Sequence, residues 1–157
     1  MDPDHLARTA RVADDAIQQA RAQLTDAIRA ASAAGMSQRE IARAVGRSQP
    51  EVNRLLRFHG TSPGGLALRR ARREVLAILD GAHMANPRVF GSVARGTDSG
   101  VSDVDLLVTP KEPIGLMGLA RVEHQLSAAV GREVDLVLDD SIRADLQASI
   151  TRSAVPL

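Results

Sequence analysis

The stretch GSVARGTDSGVSDVDLLV, residues 91–108, decides the fold. It places a Gly-Ser pair, Gly91 and Ser92, ten residues before two closely spaced aspartates, Asp103 and Asp105. Successive side chains of a strand point to opposite faces, so VSDVDLLV puts both aspartates on one face and its apolar residues on the other. Two carboxylates about 7 Å apart on one rigid surface are the hard oxygen ligands that Mg²⁺ prefers. The pattern therefore predicts a strand with one core face and one magnesium-binding face.

The residues on either side of these aspartates extend the prediction. Phe90 ends a short predicted strand, and Gly91 and Ser92 form a turn into a helix. A glycine lets the backbone approach a phosphate, and a serine hydroxyl and free N–H groups can donate to it. Downstream, EVDLVLDD repeats the alternation, so Asp135 reaches the same face if its strand pairs beside the first. A third carboxylate there could act as a general base or as a further metal ligand.

This combination resembles the minimal nucleotidyltransferases of the polymerase β-like superfamily. Gly91 and Ser92, followed after ten residues by Asp-Val-Asp at 103–105, match the GS-x10-DxD pattern of that family. Arg95 and Gly96 complete its frequent GSxARG form, and the VDLV run resembles its third acidic strand. The turn, the spacing, the DxD and the late aspartate coincide, which makes the resemblance specific.

The resemblance covers 69–157 and implies a small mixed β-sheet flanked by helices, two Mg²⁺ ions and a bound NTP. It implies transfer of a nucleoside monophosphate, such as AMP, to a hydroxyl group with loss of pyrophosphate. The implied metal-binding and catalytic residues are Asp103, Asp105 and Asp135, with Asp135 as the base or third ligand. The implied NTP-binding residues are Gly91, Ser92 and Arg95.

The N-terminal part of the chain has a helical pattern. Apolar residues recur at three- and four-residue steps from Asp4 to about Ala34, which predicts an amphipathic helix ending at Gly35 and long enough to contain a break. Two short helices should follow. Ser37 and Glu40 form a capping box for the first, and Ser48 is the predicted N-cap of the second.

Residues 37–58 resemble the helix-turn-helix of bacterial repressors, in which the second helix enters the major groove of DNA. The segment 35–80 carries nine arginines against four acids, a net charge of +5, whereas 98–145 carries ten acids against four bases, a net charge of −6. The first segment suits a polyanion and the second suits cations. The predicted DNA-binding residues are Arg47, Ser48, Gln49, Asn53, Arg54 and Arg57. An oligomerisation or partner-docking hairpin is the alternative.

We therefore predict an α+β protein in which an all-α helix-turn-helix module precedes a small mixed-sheet nucleotidyltransferase domain. The expected bounds are 1–60 for the DNA-binding module, 61–68 for a linker and 69–157 for the minimal nucleotidyltransferase domain. The chain has no cysteine, no apolar run of roughly 20 residues and no signal-peptide core, which predicts a cytoplasmic protein.

The predicted function is adenylyl-type transfer to a partner protein within a bacterial toxin–antitoxin pair, with the helix-turn-helix binding operator DNA and repressing the pair. The partners expected from the family context are a HEPN-type toxin, NTP and further copies of this chain. A nucleotide-sensing transcription regulator with an inactive transferase domain is the alternative from another class. A toxin that modifies RNA is also open, and an antibiotic adenylyltransferase is disfavoured because the chain offers no evident drug-binding domain.

Overall fold

The computed structural model describes residues 2–58 and 60–157 and contains helices and one four-stranded mixed sheet. In chain order the elements are α1 (Pro3–Ala33), α2 (Gln38–Val45), α3 (Gln49–Leu56), α4 (Pro63–Gly81), β1 (Met84–Phe90), α5 (Gly91–Arg95), β2 (Val104–Pro110), α6 (Leu116–Val130), β3 (Val134–Leu138), α7 (Ala144–Ser153) and β4 (Val155–Pro156). The predicted fold class is confirmed. Within the described ranges no helix is long and apolar enough to cross a membrane.

The sheet has the strand order β3-β2-β1-β4, with β2 and β3 parallel and the other neighbouring pairs antiparallel. Helices α4 and α6 contribute Leu68, Leu79 and Leu126 to the main core, where they pack with Leu106 and Val108 of β2. Burial of these apolar side chains is the main force that holds the helices to the sheet. The opposite face of β2 carries Asp105 and Thr109 together with the buried Leu107.

The N-terminal module has a smaller core of its own. Helix α1 is continuous over 31 residues, without the break that its length allowed. Near its C-terminal end, Ile28 packs with Ile41 of α2 and Val52 of α3, and all three are almost fully buried. Residues 2–21 are exposed, so α1 extends well beyond the two short helices.

Helices α2 and α3 lie where the sequence predicts two short helices. Both halves of the capping box between Ser37 and Glu40 are present at the start of α2. Gly46 ends α2 in the left-handed conformation, with φ of 64°, which glycine adopts without steric cost. Ser48 caps α3, whose first turn contains Pro50. The local signals in the sequence therefore locate both helices correctly.

The linker predicted at 61–68 is shorter than expected, because α4 already begins at Pro63. Ser62 caps this helix by accepting a hydrogen bond from the N–H of Gly65 at 3.3 Å. The N–H of Gly64 donates to Oδ2 of Asp98 at 2.6 Å, which fixes the start of α4 to the sheet domain. Residues 63–68 are thus the first turns of a packed helix, while the domain bounds themselves stay a prediction.

Candidate active site

The two aspartates of the VSDVD run lie where β2 begins. Asp103 immediately precedes β2 and is exposed. Asp105 is the second residue of β2 and is half-buried. Val104 and Leu106, on either side of Asp105, are fully buried in the core. The predicted alternation is therefore present, and the carboxylate of Asp105 faces away from the helices that cover the other side of the sheet.

Asp135 is beside Asp105. Strand β3 runs parallel to β2, and Asp135 is the direct register partner of Asp105. Neighbouring strands are about 4.8 Å apart, and directly paired residues point to the same face of the sheet. The structure therefore brings Asp135 next to Asp105, an arrangement that the sequence reached only through the family resemblance.

The electrostatic state of Asp105 reflects this crowding. Burial raises its pKa, and the negative charges of Asp135 and then Asp103 raise it further, while the positive charge of Arg95 acts in the opposite direction. A raised carboxyl pKa means that the ionised form is disfavoured relative to its state in water. A divalent cation bound among these three carboxylates would remove that penalty.

The three aspartates fit Mg²⁺ by their chemistry and by their common face. Three carboxylates offer the hard oxygen donors that Mg²⁺ takes together with water and substrate phosphates. As the side chains stand, no three acidic or histidine groups in the described part of the chain converge closely enough to hold an ion. Asp103 and Asp135 are exposed, so rotation about their side-chain torsions can bring their oxygens towards Asp105.

Gly91 brings the predicted phosphate-binding turn into contact with Asp105. Its φ is +67°, in the left-handed region, and a Cβ built there would overlap Oδ2 of Asp105. Phe90, the preceding residue, is the register partner of Asp105 in the antiparallel pair of β1 and β2. Glycine is required here for its backbone conformation and for lack of space. The turn and the aspartate pair therefore belong to one site.

Helix α5 carries the other predicted NTP-binding residues. It spans five residues, Gly91–Arg95, so its backbone amides rather than the dipole of a long helix would contribute to phosphate binding. Ser92 is partly buried and Arg95 is exposed. Because Arg95 lowers the pKa of Asp105, its positive charge lies within electrostatic range of the carboxylates. Gly91, Ser92, Arg95 and the aspartates thus form one neighbourhood.

The predicted DNA-binding residues lie in α3, in the turn before it and in the residue after it. Within this set Asn53 is partly buried and the others are exposed: Arg47, Ser48, Gln49, Arg54 and Arg57. Ser48 Oγ accepts the N–H of Glu51 at 3.3 Å, and Asn53 Nδ2 donates to Oε1 of Gln38 at 3.2 Å. Ser48 and Asn53 therefore have structural contacts within the motif, whereas Gln49 projects from the first turn of α3.

One polar residue near the site was missed by the sequence analysis. Asp98 is 9% exposed, and its carboxylate ties the loop after α5 to the first turn of α4 through Gly64. A side chain at position 64 would collide with that carboxylate, which explains the glycine. The sequence gives no local signal for this contact, because 34 residues separate the partners.

Comparison with known proteins agrees with this geometry. The family model of the nucleotidyltransferase domain matches residues 68–157. A protein of Methanocaldococcus jannaschii designated a protein adenylyltransferase is 33% identical over 84 residues, which are 54% of this chain and 90% of that protein. Protein adenylyltransferase MntA of Thermococcus cleftensis is 37% identical over 67 residues, 43% of this chain and 68% of the relative.

A solved structure designated a minimal nucleotidyltransferase has the same fold over the matched part. It superimposes with a TM-score of 0.54 at 34% identity and covers 63% of this chain and 99% of the solved chain. The N-terminal module precedes the first residue of the family match. The resemblance seen in the sequence and the prediction of an enzyme of this type are confirmed, and the chain belongs to the nucleotidyltransferase domain family.

Proposed function

We propose that this protein transfers an AMP group from ATP to a hydroxyl of a partner protein. The observation that supports the proposal is the direct pairing of Asp105 with Asp135, together with the close approach of Gly91 to the Asp105 carboxylate. The names of the two relatives as protein adenylyltransferases support a protein acceptor and an adenylyl group.

In this proposal Asp103, Asp105 and Asp135 would hold two Mg²⁺ ions, which would supply positive charge to neutralise the triphosphate. The backbone N–H groups and the hydroxyl of the Gly91–Ser92 turn donate to phosphate oxygens. Arg95 adds a positive charge on the same side of the site. These groups orient the α-phosphate, because phosphoryl transfer depends mainly on positioning and on electrostatic stabilisation.

The transfer step is an in-line displacement at the α-phosphorus. The acceptor hydroxyl oxygen forms a bond to phosphorus while the bond to the bridging oxygen of the pyrophosphate breaks. Asp135, which is exposed beside Asp105, accepts the hydroxyl proton as a general base. The products are the adenylylated acceptor and pyrophosphate.

The N-terminal module is proposed to bind the operator of a toxin–antitoxin pair, with a HEPN-type toxin as the acceptor protein. Gln49 is exposed in the first turn of α3, the part of a recognition helix that meets base edges. Arg54 and Arg57 are exposed and suit phosphate contacts, which position the helix on DNA. Half-site recognition would require a dimer of this chain.

The test is transfer of label from α-³²P ATP in Mg²⁺ to the protein encoded beside this chain. The Asp103→Asn, Asp105→Asn double variant removes the central carboxylates, and Asp140→Asn, an exposed acid after β3, is the matched control. We expect wild type and control to label the acceptor and the double variant to label nothing. Binding of ATP without labelling of the neighbour, of this protein or of RNA would instead support the nucleotide-sensing regulator.

A further inference from the structure

We propose that Arg29, which belongs to the N-terminal module, is a positioning residue of the nucleotidyltransferase site. It holds helix α5, and with it the Gly91–Ser92 turn, in the orientation that nucleotide binding needs. The inference rests on the proposed nucleotide site and assigns part of that site to a segment outside the family match, which starts at residue 68.

The Arg29 side chain joins three helices through their carbonyl groups. Its Nη2 donates to the carbonyl oxygen of Ala94 at 3.0 Å, its Nε to that of Leu55 at 3.2 Å and its Nη1 to that of Ser153 at 3.3 Å. These acceptors lie in α5, α3 and α7, and the partners are 65, 26 and 124 residues away along the chain. One guanidinium of α1 therefore links α3 in the N-terminal module to α5 and α7 beside the sheet.

The position of each acceptor explains how the structure tolerates a buried cation. Arg29 is 7% exposed, and none of the ion pairs in the described part of the chain includes it. Ala94, Leu55 and Ser153 all lie in the last turn of their helices, where carbonyl groups lack a partner within the helix. Such carbonyls form the negative end of the helix dipole and stabilise a positive charge.

The charged form of Arg29 is disfavoured by its surroundings. Burial lowers the pKa of its guanidinium, the charge of Asp26 raises it, and the positive charge of Arg95 lowers it again. A buried arginine suits this position because its planar guanidinium can donate to several carbonyl acceptors at once. A lysine would keep the charge and lose the simultaneous contacts.

Because α5 is short, the Ala94 carbonyl that Arg29 binds lies close to the proposed nucleotide-binding turn. Ala94 is two residues from Ser92 and three from Gly91, so all three belong to the same turn of a five-residue helix. Val93 and Ala94 are buried in the main core, so α5 is packed against the sheet as well as held by Arg29. A shift at the Ala94 carbonyl therefore displaces the turn that lies against Asp105.

A cleft between α1 and the C-terminal end of α5 lies beside this contact. Asp15, Gln18 and Gln19 line it from α1, and Arg95 and Thr97 line it from the other side. No hydrogen bond or ion pair of the described residues joins α1 to α5 apart from that of Arg29. Among the described residues, Arg29 therefore makes the polar contact between α1 and α5.

The experiment compares Arg29→Met, Arg29→Lys and the control Arg21→Met in the full-length protein. Arg21 is an exposed arginine of the same helix, two turns earlier. The Michaelis constant for Mg-ATP and kcat are measured by label transfer, and the dissociation constant of Mg-ATP by calorimetry. All assays run at a temperature where thermal unfolding shows each variant to be folded.

We expect Arg29→Met to raise KM and the dissociation constant at least about tenfold and to lower kcat, since small misplacements at a transfer site cost up to about 100-fold in rate. Arg29→Lys should recover part of the loss, and Arg21→Met should match wild type. A merely structural role would lower the active fraction and leave KM unchanged, and that result would overturn the proposal. A wild-type protein that neither binds nor transfers would instead refute the proposed function itself.

Discussion

Replacement of Gly91 by alanine tests how tightly the phosphate-binding turn and the aspartates are connected. Gly91 has φ of +67°, and a Cβ there would overlap Oδ2 of Asp105. Gly96, at the other end of α5, provides a matched control, since its φ is +72° and a Cβ added there meets nothing within 4 Å. Both variants carry the cost of a left-handed alanine, about 1–2 kcal/mol. Only Gly91→Ala also forces the Asp105 carboxylate to move.

The expected results separate these two effects. Gly96→Ala should lose about 1–2 kcal/mol in the free energy of unfolding, measured by denaturant titration, and should keep its transfer rate. Gly91→Ala should lose more stability and at least about 100-fold in transfer, because the carboxylate that we propose as a metal ligand is displaced. Equal transfer rates in the two variants would refute the connection between the turn and Asp105.

Three further predictions concern the N-terminal module. Val52→Ala, at a fully buried position, should lower the free energy of unfolding by about 2 kcal/mol, from roughly 0.8 kcal/mol for each of two buried carbon groups plus the cavity; an unchanged denaturation midpoint would contradict the packing of α3. The side-chain hydrogen bond from Ser37 and the bond from its backbone lower the pKa of Glu40 below the usual 4.5. The ionised Glu40 therefore stabilises the fold above that value, and this stability is lost as the pH falls through the lowered pKa. The difference in unfolding free energy between wild type and Glu40→Gln should vanish at low pH, and a constant difference would exclude the mechanism. Gln49→Ala should reduce affinity for the proposed operator relative to unrelated DNA by about 1–3 kcal/mol, measured by competition binding; an unchanged ratio would show that Gln49 contacts no base.

Much of this architecture could be predicted because its signals are local. Alternation in VSDVDLLV located β2, a capping box located α2, and the N-cap Ser48 located α3. The same alternation assigned Asp105 to the open face of the sheet and Val104 to the core. These features depend on residues within a few positions of one another, so they can be predicted from a single sequence.

The rest depends on contacts between distant residues. The start of α4 was placed too late, because Gly64 and Pro63 were interpreted as linker residues although Asp98 binds the first turn of that helix. Helix α7 and β4 were not predicted, since β4 has only two residues and is defined by its pairing with β1. Arg29 gave no signal either, because its three acceptors are backbone carbonyls, which every sequence has.

The measurement that tests the central claim most directly is the transfer rate of the Asp135→Asn variant. Asp135 adjoins Asp105 only because β3 and β2 pair in parallel in one particular register. We propose Asp135 as the general base or third metal ligand, so its replacement should lower label transfer from α-³²P ATP about 100- to 10,000-fold at saturating Mg²⁺. Asp140→Asn, five residues later and exposed, should transfer at the wild-type rate. An Asp135→Asn variant as active as that control would contradict a three-carboxylate site on this sheet.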